Sequence, residues 1–329
     1  MTSPIPMYIL SGFLGSGKTT LLRLAVDALV QSGLKPAVII NEIGDVDIDG
    51  QILERDVPRA EVLSGCVCCT VSGDVPFVVE NLCKEHSPDV ILLEASGVAN
   101  PLSIVDSVTE ASFLREVEFY RMITVVAAPQ LSAMLRNRAQ GKMFRLIKDQ
   151  IKAAGSILLN QVDRVVQEEL TELHLAIREW NAGASLINTE YCRGGASFLL
   201  EAKSARTENR RFSPLPILTE NGHPSCSISA SGHAAHSFLK AHTYFFSKPL
   251  SRERFEAYLG TLPDHIYRAK GIVRFKEDGA LSLVQYAYGQ SHLSAIRPLQ
   301  VVREVIVHIG QGFSEDAIEE ALKKLEGES

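Results

Sequence analysis

No stretch of the chain holds the ~18 consecutive apolar residues of a membrane span, so no membrane partner is expected. Met1 to Leu10 lacks the basic start and long apolar run of a secretory signal, and the cytoplasm is the expected compartment. Six cysteines in 329 residues are too few for a disulfide scaffold. A chain of this size buries about three quarters of the surface it exposes when unfolded, so neither disulfides nor a structural metal are needed to hold it together. Positive charge is also in short supply. Lys plus Arg number 33 against 39 Asp plus Glu, a net charge of −6, which argues against nucleic-acid binding driven by overall charge. Hydrophobic residues at 46% exclude a largely disordered chain. Repeats are absent, and the length suggests about two domains.

What is present begins with short, continuous apolar runs. Met7 to Leu10, Ala37 to Ile40, Val90 to Leu93, Ile123 to Ala127, Ile157 to Leu159 and Leu186 to Ile187 read as strands buried on both faces. Lys18 to Val30 carries Leu21, Leu22, Ala25, Val26 and Leu29 at helical spacing. Apolar strands joined by helical crossovers predict an α/β fold with a doubly wound, mainly parallel sheet. The stretch from Glu220 to Ala235 is rich in Ser, Gly and small residues and reads as a linker. Beyond it, His242 to Phe246, Ile266 to Phe275, Leu281 to Tyr288 and Val301 to Ile309 are expected strands. Arg252 to Leu259 is an expected helix, and a last helix opens at Ser314 as N-cap. The expected organisation is a nucleotide domain over residues 1–215, a linker over 216–240 and a smaller α+β domain over 241–329.

Gly12-Phe13-Leu14-Gly15-Ser16-Gly17-Lys18-Thr19 matches G-x-x-x-x-G-K-[ST] between a strand and a helix, the context a phosphate-binding loop requires. Its glycines let backbone N–H groups turn towards phosphate oxygens, and the helix N-terminus adds positive potential. Lys18 is expected on the β- and γ-phosphates and the Thr19 hydroxyl on Mg²⁺. The strand Ile91 to Leu93 ends in Glu94, with Gly97 three residues on. That carboxylate suits Mg²⁺, and the Gly97 N–H suits the γ-phosphate. The strand Ile157 to Leu159 ends in Asn160-Gln161-Val162-Asp163, close to the N-K-x-D with which GTPases read guanine. Asp163 would accept from guanine N1 and N2, a pattern adenine cannot supply. Gln161 stands where lysine is usual. Asn41-Glu42-Ile43-Gly44-Asp45, with Asp47 and Asp49, forms an acidic loop where a switch segment would face the γ-phosphate.

Gly65-Cys66-Val67-Cys68-Cys69 gathers three of the six cysteines. Such a cluster arises by chance roughly once in five hundred chains of this composition. Neighbouring thiolates suit a soft ion such as Zn²⁺, with a fourth ligand from Glu42, a histidine, water or a partner. Without a second cysteine pair the site reads as open and transferable. Buried packing thiols and a redox pair are the competing readings. His223, Cys226, His233 and His236 sit in the linker and read mainly as loop residues, while Cys83, Cys192 and Trp180 read as packing residues.

GFLGSGKTT, NEIGDVDID, GCVCC, LLEASGVANP and NQVD, with YRAKGIVRF and VIVHIG near the C-terminus, together resemble the CobW family of P-loop GTPases over nearly the whole chain. The resemblance implies a GTPase acting as a metal chaperone, with a smaller C-terminal domain; no arginine finger is identifiable in the sequence, so slow intrinsic turnover is expected. It places nucleotide and Mg²⁺ on Gly15, Ser16, Gly17, Lys18, Thr19 and Thr20, and the hydrolytic centre at Glu94. Guanine falls to Asn160 and Asp163, and the carried Zn²⁺ or similar transition metal to Glu42, Cys66, Cys68 and Cys69. Lys18, Glu42 and Glu94 are thus the expected catalytic residues. GTP, GDP, the metal ion and an unidentified client metalloprotein are the expected partners, and a homo-oligomer is left open. The alternatives are a P-loop kinase of a small molecule, or a metal-binding docking module with a vestigial nucleotide site.

Overall fold

The computed structural model describes residues 4–40, 57–61, 74–199, 238–287 and 289–327. The acidic loop, the cysteine cluster and the linker histidines lie outside them. Seven parallel strands form the first sheet: β1 (Ile5–Ser11), β2 (Pro36–Ile40), β3 (Arg59–Glu61), β4 (Val90–Glu94), β5 (Val117–Ala127), β6 (Ser156–Asn160) and β7 (Ser185–Thr189). Their order is β3-β2-β4-β1-β5-β6-β7. Alternate residues of each central strand enter different cores. Met7, Ile9, Ile39, Ile91 and Leu93 pack on one face, and Tyr8, Leu10, Val38 and Leu92 on the other against Leu21, Leu22, Ala25 and Leu29 of α1 (Lys18–Gln31). A strand that is wet on neither side has no polar positions to alternate, which is why these runs are continuous in the sequence.

The remaining crossovers are α2 (Asp74–His86), α3 (Pro101–Glu110), α4 (Ala128–Arg136), α5 (Lys142–Ala153) and α6 (Gln167–Trp180). The chain leaves β1 for β2 on one side and crosses from β4 to β5 on the other. The carboxyl ends of β1, β4 and β6 therefore face one crevice at the point where the winding reverses.

The second sheet is antiparallel. It contains β8 (Leu239–Phe245), β9 (Ile266–Arg274), β10 (Leu281–Ala287), β11 (Gln290–Ile296) and β12 (Val305–Gln311), in the order β11-β10-β9-β12-β8. One face carries α7 (Arg252–Gly260) and α8 (Glu315–Gly327) over Phe255, Val273, Val284, Ile306 and Leu322. The other face, through Leu239, Val305, Val307 and Ile309, joins the core that also holds Met7, Leu93 and Ala95. Lys270 bridges Asp106 at 3.0 Å and also pairs with Glu110 of α3, and Arg268 meets Asp106 at 2.9 Å. No helix among the described residues is long and apolar enough to cross a membrane.

Four elements depart from the sequence reading, and the first, β3, was not anticipated. β5 starts at Val117, six residues before the expected run. β11 was not anticipated, and Val301 lies in an exposed loop ahead of β12 rather than in a strand. Ser314 does cap α8, its Oγ accepting from Ala317 N at 3.2 Å.

Candidate nucleotide site

β1 delivers the chain into a loop whose turns only glycine takes without strain. Gly12, Gly15 and Gly17 have φ of 136°, 73° and 112°. A Cβ on Gly12 would stand 2.2 Å from the Val125 carbonyl oxygen, and one on Gly17 would stand 2.7 Å from Asn160 Nδ2. The loop closes with Ser16 N donating to Phe13 O at 3.2 Å, and α1 opens with Leu21 N donating to Gly17 O at 2.9 Å. Lys18, Thr19 and Thr20 form the first turn of α1, whose N–H groups have no acceptor inside the helix and point out of its N-terminus. Lys18 is buried and Ser16 fully so.

Thr19 Oγ1 donates to Glu94 Oε1 at 2.9 Å, which brings the hydroxyl and the buried strand-end carboxylate to one point. Two hard oxygen donors of this kind fit Mg²⁺. Gly97 packs directly on the phosphate loop, where an added Cβ would meet Leu14 N at 2.8 Å. Its carbonyl accepts from Gln150 Nε2 at 3.2 Å, and Gln150 is fully buried on α5. Sequence reasoning did not single out Gln150. The signal was there, since a glutamine occupies the apolar stripe between Ile147 and Ile151.

Asn160, at the end of β6, is a junction. Its Nδ2 donates to Ser16 O at 2.9 Å, and its Oδ1 accepts from Thr189 Oγ1 at 3.1 Å and from Cys192 N at 3.0 Å. The phosphate loop, β6 and the turn after β7 are thereby tied to one amide. Tyr191 and Cys192 hold φ of 51° and 57°, a left-handed conformation costly for side-chain-bearing residues. Cys192 is buried, as expected of a packing residue, and its Sγ also donates to Gly17 O at 3.4 Å. Burial pushes its thiol up to about 12, so it stays protonated and keeps that donor. Asp163 is exposed, just beyond the strand end in a short turn of 3₁₀ helix. Gln161, with φ of 62°, lays its Nε2 on Gly15 O at 3.2 Å. It fastens the end of its own loop to the phosphate loop.

The structure thus brings together Gly12, Gly15, Ser16, Gly17, Lys18, Thr19, Thr20, Glu94, Gly97 and Asn160, with Asp163 at the rim. Glu42, Cys66, Cys68 and Cys69 lie outside the described residues. No group of three metal-ligating side chains occurs among those that are described.

Residues 6–188 match the nucleotide-binding domain profile of the CobW/HypB/UreG family, and residues 239–326 match the cobalamin synthesis protein cobW C-terminal domain. Among curated proteins, the chain is 27% identical over 330 residues to zinc-regulated GTPase metalloprotein activator 1 of Schizosaccharomyces pombe, covering 90% of this chain and 77% of that protein. It is 30% identical over 218 residues to the protein of the same name from Dictyostelium discoideum, covering 56% of this chain and 46% of that one. The chain spans about half the length of most of the curated relatives it matches. Among solved structures, the Zn(II)-bound YjiA GTPase of Escherichia coli aligns with 98% of this chain and 99% of its own, at 18% identity and a TM-score of 0.41.

Proposed function

The chain belongs to the CobW/HypB/UreG family of nucleotide-binding proteins, and from that premise we propose that it is a GTP-dependent metallochaperone. It hydrolyses GTP slowly and couples that cycle to holding and releasing Zn²⁺ or a similar transition metal for a client protein. The observation that carries this reading is the meeting of the phosphate loop, the Glu94 carboxylate and the Asn160 strand end at one crevice, in a chain whose sequence also holds Cys66, Cys68 and Cys69. The names of its relatives, zinc-regulated GTPase metalloprotein activator 1 and zinc chaperone YjiA, support the choice of metal and of nucleotide.

The chain's residues divide the work. Gly12, Gly15 and Gly17 hold the loop open so that its N–H groups and those at the start of α1 surround the phosphates. Lys18 neutralises charge on the β- and γ-phosphates as phosphoryl transfer proceeds. Thr19 and Glu94 would hold Mg²⁺, which supplies charge neutralisation between the phosphates. Glu94 and Glu42 are the candidates for orienting the attacking water. Gly97 lies against the phosphate loop, so movement of the γ-phosphate is felt at the start of α3. Asp163 accepts from guanine N1 and N2. Glu42 and the three thiolates form the cargo site, which γ-phosphate-ordered loops would tighten and hydrolysis would loosen. Coupling of this kind is reciprocal, so metal must tighten GTP binding by the factor that GTP tightens metal.

The test is a competition titration of Zn²⁺ against a chelator with Mg²⁺ plus a non-hydrolysable GTP analogue, with GDP, and with no nucleotide. Cys68→Ser and an ATP analogue are the controls. Tighter zinc binding only with the GTP analogue, lost in Cys68→Ser, is the expected result. Equal zinc affinity in every nucleotide state overturns the coupling.

A further inference from the structure

An open groove of about 850 Å³ lies between α2, the segment ahead of β5 and the C-terminal half. Glu80 and Lys84 of α2, Leu114 and Arg115, and Phe246 and Val301 of the C-terminal half line it. Val301 is 94% exposed, and Leu299, two residues before it, is fully exposed. The charges in the groove are almost all spoken for. Lys84 pairs with Glu80 at 2.7 Å, Arg274 with Glu304 at 2.8 Å, and Arg303 with Glu116. Arg115 is the exception. It makes no side-chain hydrogen bond or salt bridge among the described residues, its Nε is buried without an acceptor, and its charge acts only on the Cys83 thiol, which burial keeps protonated. A buried guanidinium donor with nothing to donate to costs free energy, and a carboxylate from outside satisfies it with a forked pair of bonds. An unpaired arginine beside exposed apolar side chains is the complement of a peptide that carries an acidic residue next to a large apolar one.

The position of the groove bears on the proposed chemistry. α2 is the helix that follows the cysteine cluster in the chain, and Glu80 lies six residues from its start at Asp74, about 9 Å along the axis. We propose that this groove docks the client protein, through an extended acidic–apolar segment whose carboxylate binds Arg115 and whose apolar side chain covers Val301 and Phe246. This inference rests on the chaperone reading for its biological sense, but the docking is measurable without it.

The probe is a set of fluorescein-labelled peptides, Leu-Phe-Glu-Leu-Phe and the same sequence with Gln or Lys at the centre, titrated onto the full chain by anisotropy. The Glu peptide should bind at least tenfold more tightly than the other two. Arg115→Gln should remove that preference, and Arg115→Glu should transfer it to the Lys peptide. Val301→Asp, at an exposed position that should leave folding intact, should weaken the Glu peptide about tenfold. Three peptides of equal affinity, or a Glu preference that survives Arg115→Gln, overturn the proposal. So does a mixed-sequence oligonucleotide that displaces the Glu peptide and binds more tightly, or self-association of the chain that Val301→Asp abolishes. Zinc titrations with and without the GTP analogue on Arg115→Gln separate the two readings. Peptide docking with no nucleotide effect on zinc removes the chaperone cycle and keeps the groove, and the reverse removes the groove alone.

Discussion

In the proposed GTPase, the choice of base rests on one carboxylate, that of Asp163. It sits exposed beyond β6, while its neighbour Gln161 is turned away to bond Gly15 O. We therefore propose that base recognition at this rim falls to Asp163 rather than to the residue that replaces the usual lysine. Asp163→Asn exchanges an acceptor for a donor. It should weaken GTP at least a hundredfold and favour xanthosine triphosphate, whose base has a carbonyl where guanine has its amino group. Calorimetric titration with both nucleotides measures this, and an unchanged GTP affinity would remove Asp163 from base recognition. A second single-residue effect lies in the C-terminal domain. His308 is fully buried, 2.8 Å from the Tyr258 hydroxyl and with the His242 ring 6.3 Å away. Burial first, and the charge of His242 second, push its imidazole down to about 3. The folded state holds it neutral while the unfolded chain takes up a proton below about 6.5, so the unfolded state binds more protons between those values. Stability from this group is complete above about pH 6.5 and falls by about 1.4 kcal/mol per pH unit on acidification towards pH 3. His308→Gln keeps a hydrogen-bonding partner for Tyr258 and removes the titration. Urea denaturation between pH 5 and 7.5 should show a shallower acid slope in the variant, and parallel slopes would contradict this.

At the scale of elements, the frame hangs on side chains that belong to no motif. Asn181 is fully buried where α6 ends. Its Nδ2 donates at 2.8 Å to both Ile151 O and Ala154 O, and its Oδ1 accepts from Ala184 N at 3.0 Å. One amide thus closes the C-terminus of α5, the end of α6 and the entry to β7. Asn181→Leu strands two carbonyls and an N–H, and the cost should be about 3 kcal/mol in chemical denaturation. A loss below about 1 kcal/mol would mean that the backbone finds other partners. Asn181 also shows what a single sequence hides. β1, β2, β4 and β6 were legible because both of their faces are buried, so a plain apolar run is their signature. β11, reading QSHLSAI, is a largely exposed edge strand whose partner β10 on one side supplies the pairing, and its own sequence has no apolar run. The first half of β5 alternates Val117, Phe119 and Arg121 with other residues, and its register on β1 decides the strand. Phosphate-loop residues were legible because glycine geometry and the lysine are local. The roles of Gln150, Cys192 and Asn181 depend on chain segments many residues distant, and only the fold brings those together.

At the scale of the molecule, the two sheets share one core. Leu239, Val305, Val307 and Ile309 pack with Met7, Ile9, Leu93 and Ala95, and Arg303 N donates to Phe113 O at 2.8 Å across the join. α3 sits between them. It begins four residues after Gly97 with Asn100 as N-cap, and it presents Asp106 and Glu110 to Lys270. A ligand that binds only the nucleotide domain therefore stabilises the whole cooperative unit, by about 2.7 kcal/mol at a hundred times its dissociation constant. The expected outcome is one thermal transition, shifted upward as a whole by the GTP analogue. Amide protection in β9 and β12 should rise in step with that in β1, measured by hydrogen exchange with mass spectrometry. Lys270→Met removes the ionic link to α3 and leaves the apolar contact, so the shared transition should persist at a lower temperature. Protection confined to β1, β4 and β6 would instead make the C-terminal sheet a separate unit, tethered to the nucleotide domain but deaf to it. The distinction matters for a chaperone. Only a shared unit would let a γ-phosphate bound beside Gly97, as proposed, bear on the groove that α2, Arg115 and the C-terminal sheet build together.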